Sequence, residues 1–307
     1  MKQMADSLWP RTGFTETALV TAVVMDKVAA MNEYLDKIAS YLKERSRLSF
    51  TGHKRTVLRH RLEARLEQLQ LPDFSAYWER LRCNPAEEQQ LFELATTNET
   101  SFFRNAGQFT FLKESIIPLL EQRATQGGSI RILSAGCSTG EEPYSIAMTL
   151  LDSLHIPANV RLEIVAGDIN ENCLNIARAG VYEADRLRKL PCTYQERFLT
   201  RVDDGYRVND AVKSLVRFCR LNLDDLMNSD CPSWNQGLGL FDIVFCRNVM
   251  IYFAPPCQQK LVDTLYRVLL PDGHLFTGDA EPLHLFSHEF MPGAAAGCLI
   301  YQKRSES

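Results

Sequence analysis

The pattern of apolar and polar positions divides the chain into a helical first third and a longer part in which strands and helices alternate. From Asn32 onward apolar residues recur at helical spacing, and the same periodicity returns over residues 53–70. Two shorter helical runs follow before residue 95. The pattern predicts an N-terminal all-α domain over residues 31–95, preceded by an arm of unassigned role at residues 1–30.

Residues 121–307 carry the pattern of an α/β domain. Short β-type runs alternate there with helical runs, which is typical of a mostly parallel sheet with helices on both faces. Two alternating runs flank an Asp-Asp-Gly turn at residues 203–205, and we interpret them as the hairpin of a small antiparallel β-subdomain inserted at about residues 193–217. Residues 96–120 link the helical domain to the α/β domain.

The most informative stretch of the α/β domain runs from Ser129 to Asp168. A β-type run leads into a glycine turn between Gly136 and Gly140, and an apolar-periodic helix follows with Pro143 in its first turn. A second strand then ends at Asp168. An acidic residue that closes the second strand after such a turn suits the hydroxyl groups of a ribose.

Two adjacent glutamates, Glu141 and Glu142, indicate which cofactor the turn suits. They would repel a pyrophosphate at this helix start, and the turn contains neither GxGxxG nor the GK[ST] of a phosphate-binding loop. A nicotinamide dehydrogenase is therefore disfavoured. A cofactor with a cationic centre and no phosphate fits better, and S-adenosylmethionine (SAM) is such a cofactor.

Polar residues follow several of the predicted strands. Asp168, Asn222, Arg247 and Asn248 stand at the ends of three separate β-type runs. Because ligands of such sheets bind at the carboxyl ends of the parallel strands, we expect these side chains to meet at one edge and to form a site. The polar linker is a second place where a ligand cleft is expected.

Composition and charge restrict the class of protein. The 307 residues are 45% hydrophobic and carry a net charge of −4, which gives no overall attraction to nucleic acid or to an anionic membrane. No apolar run approaches the roughly 18 residues of a membrane span, and no signal-peptide pattern is present. We interpret the nine cysteines, which form no CxxC pair, as reduced thiols of a cytoplasmic protein without a metal site.

Four segments of the chain carry a resemblance to a known family. They are TTNETSFFRN from Thr96, SAGCSTGEEPYSIAM from Ser134, FCRNVMIYF from Phe245 and LLPDGHLFTGDAE from Leu269. In this order they resemble the chemotaxis receptor methyltransferases, the CheR family, from about Leu35 to the C-terminus. That family transfers a methyl group from SAM to chemoreceptor glutamates, giving glutamate methyl esters and S-adenosylhomocysteine. Its helical domain, Rossmann-like SAM-dependent α/β domain and inserted antiparallel β-subdomain are the parts predicted above.

The resemblance implies roles for individual positions. Arg104 is expected to bind the carboxylate of the methionine part of SAM or to orient the substrate, and Tyr252 to face the transferred methyl group, so these two are the catalytic candidates. The cofactor-binding positions that the resemblance implies are Asn98, Thr100, Arg104, Gly136, Glu141, Asp168, Asn222, Leu223, Arg247 and Asn248.

The resemblance also implies a partner, the glutamate-rich helical bundle of a chemoreceptor's cytoplasmic part. A basic run in the helical domain is either a solvated surface or a docking face for that partner; the candidates are Lys54, Arg55, Arg59, Arg61 and Arg65. Some family members hold a receptor pentapeptide on the inserted subdomain. Its loop is short here, so we expect that this tether is not required. We further expect a monomer that binds no nucleic acid and inserts in no membrane.

Two alternatives to this function remain open. One is a SAM-responsive binding module that signals without catalysis, and the other is a methyltransferase with another substrate. The acidic net charge and the lack of an NPPY segment disfavour nucleic acid as that substrate. An acceptor glutamate is already ionised at neutral pH, so the CheR function requires no general base, and the absence of a triad-like histidine motif agrees with it.

Overall fold

The computed structural model of the protein describes residues 16–96, 98–125, 127–228, 239–293 and 297–304. The first half of the predicted arm therefore lies outside the described residues. Within the described part, no helix combines the length and the apolar character that a bilayer crossing requires.

Four consecutive helices form the N-terminal domain. They are α1 (Glu16–Ser46), α2 (His53–Leu69), α3 (Phe74–Cys83) and α4 (Pro85–Ala95). No break occurs near Asn32, where the apolar pattern sharpens, because no glycine or proline interrupts α1. The side chain of Asp73 accepts the Ala76 N–H at the start of α3, and Pro85 occupies the first turn of α4, as expected for residues that start helices.

The helices of the α/β domain alternate with its strands. They are α5 (Ala106–Phe111), which continues through a π-helical turn into α6 (Ile117–Ala124), then α7 (Glu141–Ser153), α8 (Glu171–Ala179), α9 (Cys192–Phe198), α10 (Asp210–Lys213), α11 (Leu223–Met227) and α12 (Pro255–Val268). The strands are β1 (Ser129–Ala135), β2 (Arg161–Asp168), β3 (Val181–Tyr182), β4 (Leu199–Val202), β5 (Gly205–Val208), β6 (Val216–Arg220), β7 (Phe241–Cys246), β8 (Leu269–Thr277), β9 (Met291–Pro292) and β10 (Ile300–Gln302).

A seven-stranded sheet in the order β6-β2-β1-β7-β8-β10-β9 forms the centre of this domain. The pairs from β6 to β8 are parallel, and β10 runs antiparallel to β8 and β9. The prediction of a mostly parallel sheet is therefore confirmed. In this order the carboxyl ends of β6, β2, β1 and β7 meet at one edge, and the loops that follow these strands are brought together there.

The two faces of the sheet belong to two separate cores. Leu133, Val165 and Val244 point to one face and pack in a cluster that also contains the apolar residues of α12 and of the N-terminal helices. Ile132 and Ile164, their neighbours along the strands, point to the other face and pack beneath α5, α6 and α7. Because the helical domain shares the first core with the sheet, its position beside the carboxyl edge is fixed by buried apolar contacts.

A second, antiparallel sheet has the order β3-β5-β4. The two strands of the predicted hairpin are confirmed as β4 and β5. The third strand, Val181–Tyr182, precedes the predicted start of the inserted subdomain. The sequence did not indicate it, because two residues are too few to show an alternation of apolar and polar positions. Gly205 begins β5 at a φ of 136°, where an added Cβ would meet the Tyr182 carbonyl oxygen at 2.4 Å, so the close strand approach requires glycine.

Two residues of the predicted docking face instead bind within the helical domain. Arg65 donates two hydrogen bonds of 3.0 Å to the carboxylate of Glu87, which is 2% exposed. Arg61 donates to the carbonyl oxygens of Leu94 and Thr96 at 2.8 and 3.0 Å. Burial alone would raise the pKa of Glu87, but the hydrogen bonds and charge of Arg65 hold it below its ordinary value. Both side chains are thus engaged within the helical domain, and their predicted role in docking stays a prediction.

We expect Arg65→Ala to lower the free energy of unfolding by about 3 kcal/mol, because it leaves the buried carboxylate of Glu87 without its main partner. Since the pKa of Glu87 is lowered in the folded protein, this contribution is present at neutral pH and is lost as the pH falls through that pKa. Denaturant unfolding at neutral and acidic pH measures both effects. The control is Arg82→Ala, whose exposed ion pair with Glu79 spans 3.8 Å and contributes less than about 0.5 kcal/mol; equal losses in the two variants would contradict the assignment.

Candidate functional site

A cleft lies at the carboxyl edge of the parallel strands, between the sheet, the linker and the end of α1. Its lining comes from the loops after β1, β2, β6 and β7 and, in the linker, from Thr96, residues 98–101 and Arg104. The structure brings together here almost every residue that the sequence proposed for the cofactor and for catalysis: Asn98, Thr100, Arg104, Gly136, Asp168, Asn222, Leu223, Arg247, Asn248 and Tyr252.

Glu141 is the exception, and the structure places Glu142 in the cleft instead. Glu141 is fully buried, where it accepts a hydrogen bond of 2.6 Å from the hydroxyl of Thr139 and pairs with Arg186 at 3.3 Å; burial raises its pKa. Successive side chains of a helix point about 100° apart, so only one of the two glutamates faces the cleft. The sequence pattern did not indicate which one.

The glycine turn lies directly against the loop that follows β7. Gly136 has a φ of 82°, and a Cβ added there would meet the Cγ2 atom of Val249 at 2.3 Å. The N–H groups of Gly136 and Cys137 both donate to the carbonyl oxygen of Gly167, at 2.8 and 3.0 Å. Glycine is required at this position both for the backbone conformation and for the space that a side chain would fill.

Asp168 is held in a fixed orientation at the end of β2. The Ser138 N–H donates to its Oδ2 atom at 2.8 Å, and the Asn170 N–H donates to its Oδ1 atom at 2.9 Å. Burial raises the pKa of Asp168, and these two backbone hydrogen bonds oppose that shift. Each carboxylate oxygen keeps further acceptor capacity, which a pair of hydroxyl groups in the cleft would use.

Arg247 and Glu142 form a buried ion pair on one side of the cleft. The Nε atom of Arg247 lies 3.4 Å from the Oε2 atom of Glu142, and the hydroxyl of Ser134 donates to the other carboxylate oxygen at 2.7 Å. Burial raises the pKa of Glu142 and lowers that of Arg247. Among the described residues, the Nε and Nη1 atoms of Arg247 have no hydrogen-bond acceptor, so donors remain for an anionic ligand group.

Two aromatic residues hold the linker against the sheet domain. Phe102 is fully buried and meets the ring of Tyr182 edge-on at 5.0 Å. Phe103 stacks on Tyr194 at 5.2 Å. These contacts fix Arg104, which donates to the carbonyl oxygen of Glu99 at 2.9 Å. Its own carbonyl oxygen accepts a hydrogen bond of 2.7 Å from Arg247.

The helical domain contributes one wall of the cleft, which the sequence did not predict. Ser46 and Leu48, at the end of α1, line it. The side chain of Asn222 caps α11 by accepting the Asp224 N–H at 3.1 Å, and it donates to the carbonyl oxygen of Arg45 at 2.8 Å. The loop after β6 and the helical domain are thus connected by direct hydrogen bonds beside the cleft.

The loop after β7 also contacts the helical domain. The Ser49 N–H donates to the carbonyl oxygen of Tyr252 at 2.8 Å. The ammonium group of Lys54 donates to the carbonyl oxygen of Ile251 and lies 5.8 Å from the ring centre of Tyr252. Of the residues predicted for docking, Lys54 is therefore the one in contact with this loop.

The two remaining candidates of the predicted docking face lie farther along α2. Arg55 pairs with Asp36 at 2.8 Å, and Arg59 lies 3.6 Å from Glu63. Both side chains are about one-third exposed. They keep more of their surface open to a partner than Arg65 does, whose side chain is 18% exposed.

Glu281 organises the loop after β7, and sequence reasoning missed it. It is 3% exposed, and its carboxylate accepts the N–H groups of Asn248, Gly278 and Ile251 at 2.6, 2.9 and 3.2 Å. Asn248 adopts a φ of 58°, a conformation that needs such support from its surroundings. The only sequence feature that pointed to Glu281 was its place in the TGDAE segment.

Titratable side chains in the described part of the chain do not form a metal site. No group of three or more His, Cys, Asp or Glu residues there is arranged to hold a metal ion. The cleft instead combines carboxylates, guanidinium groups and a close-fitting glycine turn, which suits an organic ligand with both hydroxyl and carboxylate groups.

This sheet order, with a glycine turn after β1 and an acidic residue closing β2 at the cleft, defines the protein as a SAM-binding domain of the methyltransferase class with an added helical domain. The chain belongs to the CheR methyltransferase family. Residues 98–294 match the family's "CheR methyltransferase, SAM binding domain", and residues 33–96 match its "all-alpha domain". The family resemblance and the SAM cofactor predicted from the sequence are thereby confirmed.

Proteins similar to this one cover most of the chain. The chain is 36% identical over 270 residues to the chemotaxis protein methyltransferase of Escherichia coli, covering 86% of this chain and 88% of that protein. It is 35% identical over 271 residues to the Salmonella typhimurium protein of the same name, with the same two coverages. It is also 35% identical over 272 residues to the "Probable biofilm formation methyltransferase WspC" of Pseudomonas aeruginosa, covering 89% of this chain but 62% of that protein.

We expect Glu281→Gln to lower the free energy of unfolding by about 2 kcal/mol, because an amide cannot accept all three N–H groups and leaves buried donors without an acceptor. SAM binding should weaken as well, since Asn248 and Val249 line the cleft. A thermal melt and a calorimetric SAM titration measure these effects. The control is Glu289→Gln at an exposed position of the same segment, and indistinguishable variants would show that Glu281 does not position the loop.

Proposed function

We propose that the protein transfers the methyl group of SAM to glutamate side chains of chemoreceptors and forms glutamate methyl esters and S-adenosylhomocysteine. The observation that carries the proposal is the cleft itself, where Asp168 ends β2 and Arg247 follows β7, the two strands on either side of β1 and its glycine turn. Two of the relatives named above are chemotaxis protein methyltransferases, which supports the choice of acceptor.

The chemical groups of the cleft fit SAM. The acceptor oxygens of Asp168 suit the ribose hydroxyls, and the unsatisfied donors of Arg247, together with Arg104, suit the carboxylate of the methionine part. The carboxylate of Glu142 suits the positive charge of the amino acid end. Asn222 and Leu223 then lie where the adenine ring would bind, and Asn98, Thr100 and Asn248 complete the polar lining.

The reaction we propose is a direct displacement. SAM supplies a methyl group on a positively charged sulfur, and a bond from the acceptor's carboxylate oxygen forms as the carbon–sulfur bond breaks. Because a glutamate is ionised at neutral pH, the protein does not need a general base. Opposite charges are lost in this step, so a cleft that excludes water and aligns the reacting atoms should favour it.

Arg104 and Tyr252 have the roles of positioning the reactants in this proposal. A strong ion pair between Arg104 and the acceptor would stabilise the attacking anion and slow the displacement. We therefore assign Arg104 to the carboxylate of SAM, in keeping with its hydrogen bond to the Glu99 carbonyl oxygen. Tyr252 lines the cleft beside Lys54 of α2, and we assign it to the acceptor side chain.

The acceptor we propose is the helical bundle in a chemoreceptor's cytoplasmic part. On α2 the residues that remain for its acidic surface are Lys54, Arg55 and Arg59, because Arg61 and Arg65 bind inside the domain. The hairpin of the small sheet pairs Val202 directly with Gly205. Since this loop is so short, we propose that a pentapeptide tether is not required.

A labelled-methyl assay tests the function. The wild-type protein should transfer label from SAM to a chemoreceptor cytoplasmic fragment, and the label should be released by base, as expected for a carboxyl methyl ester. Asp168→Asn should bind SAM at least about tenfold more weakly, because it loses charged hydrogen bonds, and should lose most of the transfer. Tight SAM binding by the wild type without label on the fragment would instead favour a non-catalytic SAM-responsive module or another acceptor.

A matched pair of variants tests which glutamate serves the cofactor. Glu142→Gln removes a charge that faces the cleft and should raise the dissociation constant of SAM by about tenfold. Glu141→Gln leaves the cleft's charges unchanged and should alter that constant by less than about twofold. Isothermal calorimetry with each variant measures the constant, and the opposite order of effects would restore Glu141 as the cofactor residue.

A further inference from the structure

A second concavity, of about 310 Å³, opens beside the cofactor cleft. The two share residues 99–101 and Arg104 as a common wall. The opposite wall is the short turn of helix Ala184–Leu187 with the two residues that follow it. A side chain bound in this concavity would therefore lie next to the reacting groups without entering the cofactor's place.

The concavity is positively charged although the whole chain has a net charge of −4. Arg104, Arg186, Arg188 and Lys189 line it, against only two carboxylates. Arg186 is partly neutralised by its ion pair with Glu141 at 3.3 Å. Arg188 and Lys189 are exposed, and no hydrogen bond or ion pair engages either of them within the part of the chain that the structure describes.

Buried leucines hold these two cations in place. Leu187 and Leu190, on either side of them, are both buried in the core under the small sheet, and the Leu190 N–H donates to the Leu187 carbonyl oxygen at 2.8 Å. The turn is thus anchored at both ends, and Arg188 and Lys189 must project outward between the anchors. Side chains on such an anchored turn lose less freedom on binding than side chains on a mobile loop.

We propose that Arg188 and Lys189 form a docking surface for acidic residues that flank the methyl-accepting glutamate on the acceptor's helix. This inference rests on the proposed function, since it places the acceptor glutamate in the cleft. On a helix, residues three or four positions from that glutamate lie on the same face, about 5–6 Å away, which brings their carboxylates to the adjoining concavity. Arg55 and Arg59 of α2 each already make an ion pair within the protein, whereas Arg188 and Lys189 make none among the described residues.

A protein helix fits this surface better than a nucleic acid does. Single-stranded nucleic acids are held by a long basic groove with aromatic rings on which the bases stack. The concavity is short, and no aromatic residue lines it. Its four cations against two carboxylates match a small cluster of acidic side chains.

The test is the double variant Arg188→Glu/Lys189→Glu, assayed for methylation of a chemoreceptor cytoplasmic fragment at low and high salt. We expect KM for the fragment to rise at least about tenfold at low salt. The kcat at saturating fragment and the SAM dissociation constant should stay within about twofold of the wild type. The salt dependence of KM should become weaker, because the screened attraction has been removed. An unchanged KM would overturn the proposal.

The control is Arg267→Glu/Arg304→Glu, which reverses the same number of exposed charges at positions that line neither concavity. It should change KM by less than about twofold. A rise equal to that of the first double variant would mean that net charge alone causes the effect, and this would overturn the docking surface.

Failure of the proposed function is distinguishable from failure of this inference. If the wild type transfers no labelled methyl group to the fragment, the proposed function fails. Fluorescence anisotropy of a dye-labelled fragment then tests separately whether the fragment binds at the docking surface. Binding by the wild type that the double variant loses supports the docking surface. Equal binding by both proteins, or none by the wild type at low salt, overturns it. If the double variant loses binding to a single-stranded RNA and not to the fragment, the surface binds nucleic acid, and the proposal is also overturned.

Discussion

The buried ion pair between Arg247 and Glu142 is the interaction on which the cleft depends. Arg247 follows β7 and Glu142 stands in the first turn of α7, while a hydrogen bond from Arg247 holds the linker at the Arg104 carbonyl oxygen. Burying either charge alone would be strongly unfavourable. The pairing therefore fixes three segments that are remote in sequence. It also leaves the Nη1 atom of Arg247 without a hydrogen-bond acceptor among the described residues, so this atom can donate a charge-assisted hydrogen bond to an anionic ligand.

The helical domain is part of this arrangement and not an independent attachment. It shares one apolar core with a face of the sheet, and Leu48 forms a backbone bridge with Phe253 beside Tyr252. A partner that binds α2 therefore meets a surface rigidly connected to the loop after β7. The same buried contacts therefore fix the position of the helical domain, where a partner would dock, relative to the cleft, where its acceptor side chain would bind.

The sequence predicted those features of the site that follow from regular structure. Strand, glycine turn and helix identify the turn at Gly136, and the meeting of parallel strand ends explains why Asp168 and Arg247 were expected together. Features that depend on side-chain direction or on distant contacts were not predictable. A pair of adjacent glutamates does not show which one turns inward, and a basic helix does not show that Arg65 finds Glu87. The three hydrogen bonds of Glu281 join segments whose proximity only the fold creates.

The distribution of positive charge agrees with the demands of the proposed transfer to a glutamate on an acidic helix. A cation in contact with the attacking carboxylate would stabilise the reactant more than the transition state, in which that negative charge is being lost, and would slow transfer. Yet an acidic helix must be attracted to an acidic protein. Placing cations in an adjoining concavity, and not at the reacting oxygen, satisfies both demands, because their field attracts the acceptor's other carboxylates over several ångströms. Arg188 and Lys189 are separated from the cofactor cleft by the linker wall in the way that this argument requires.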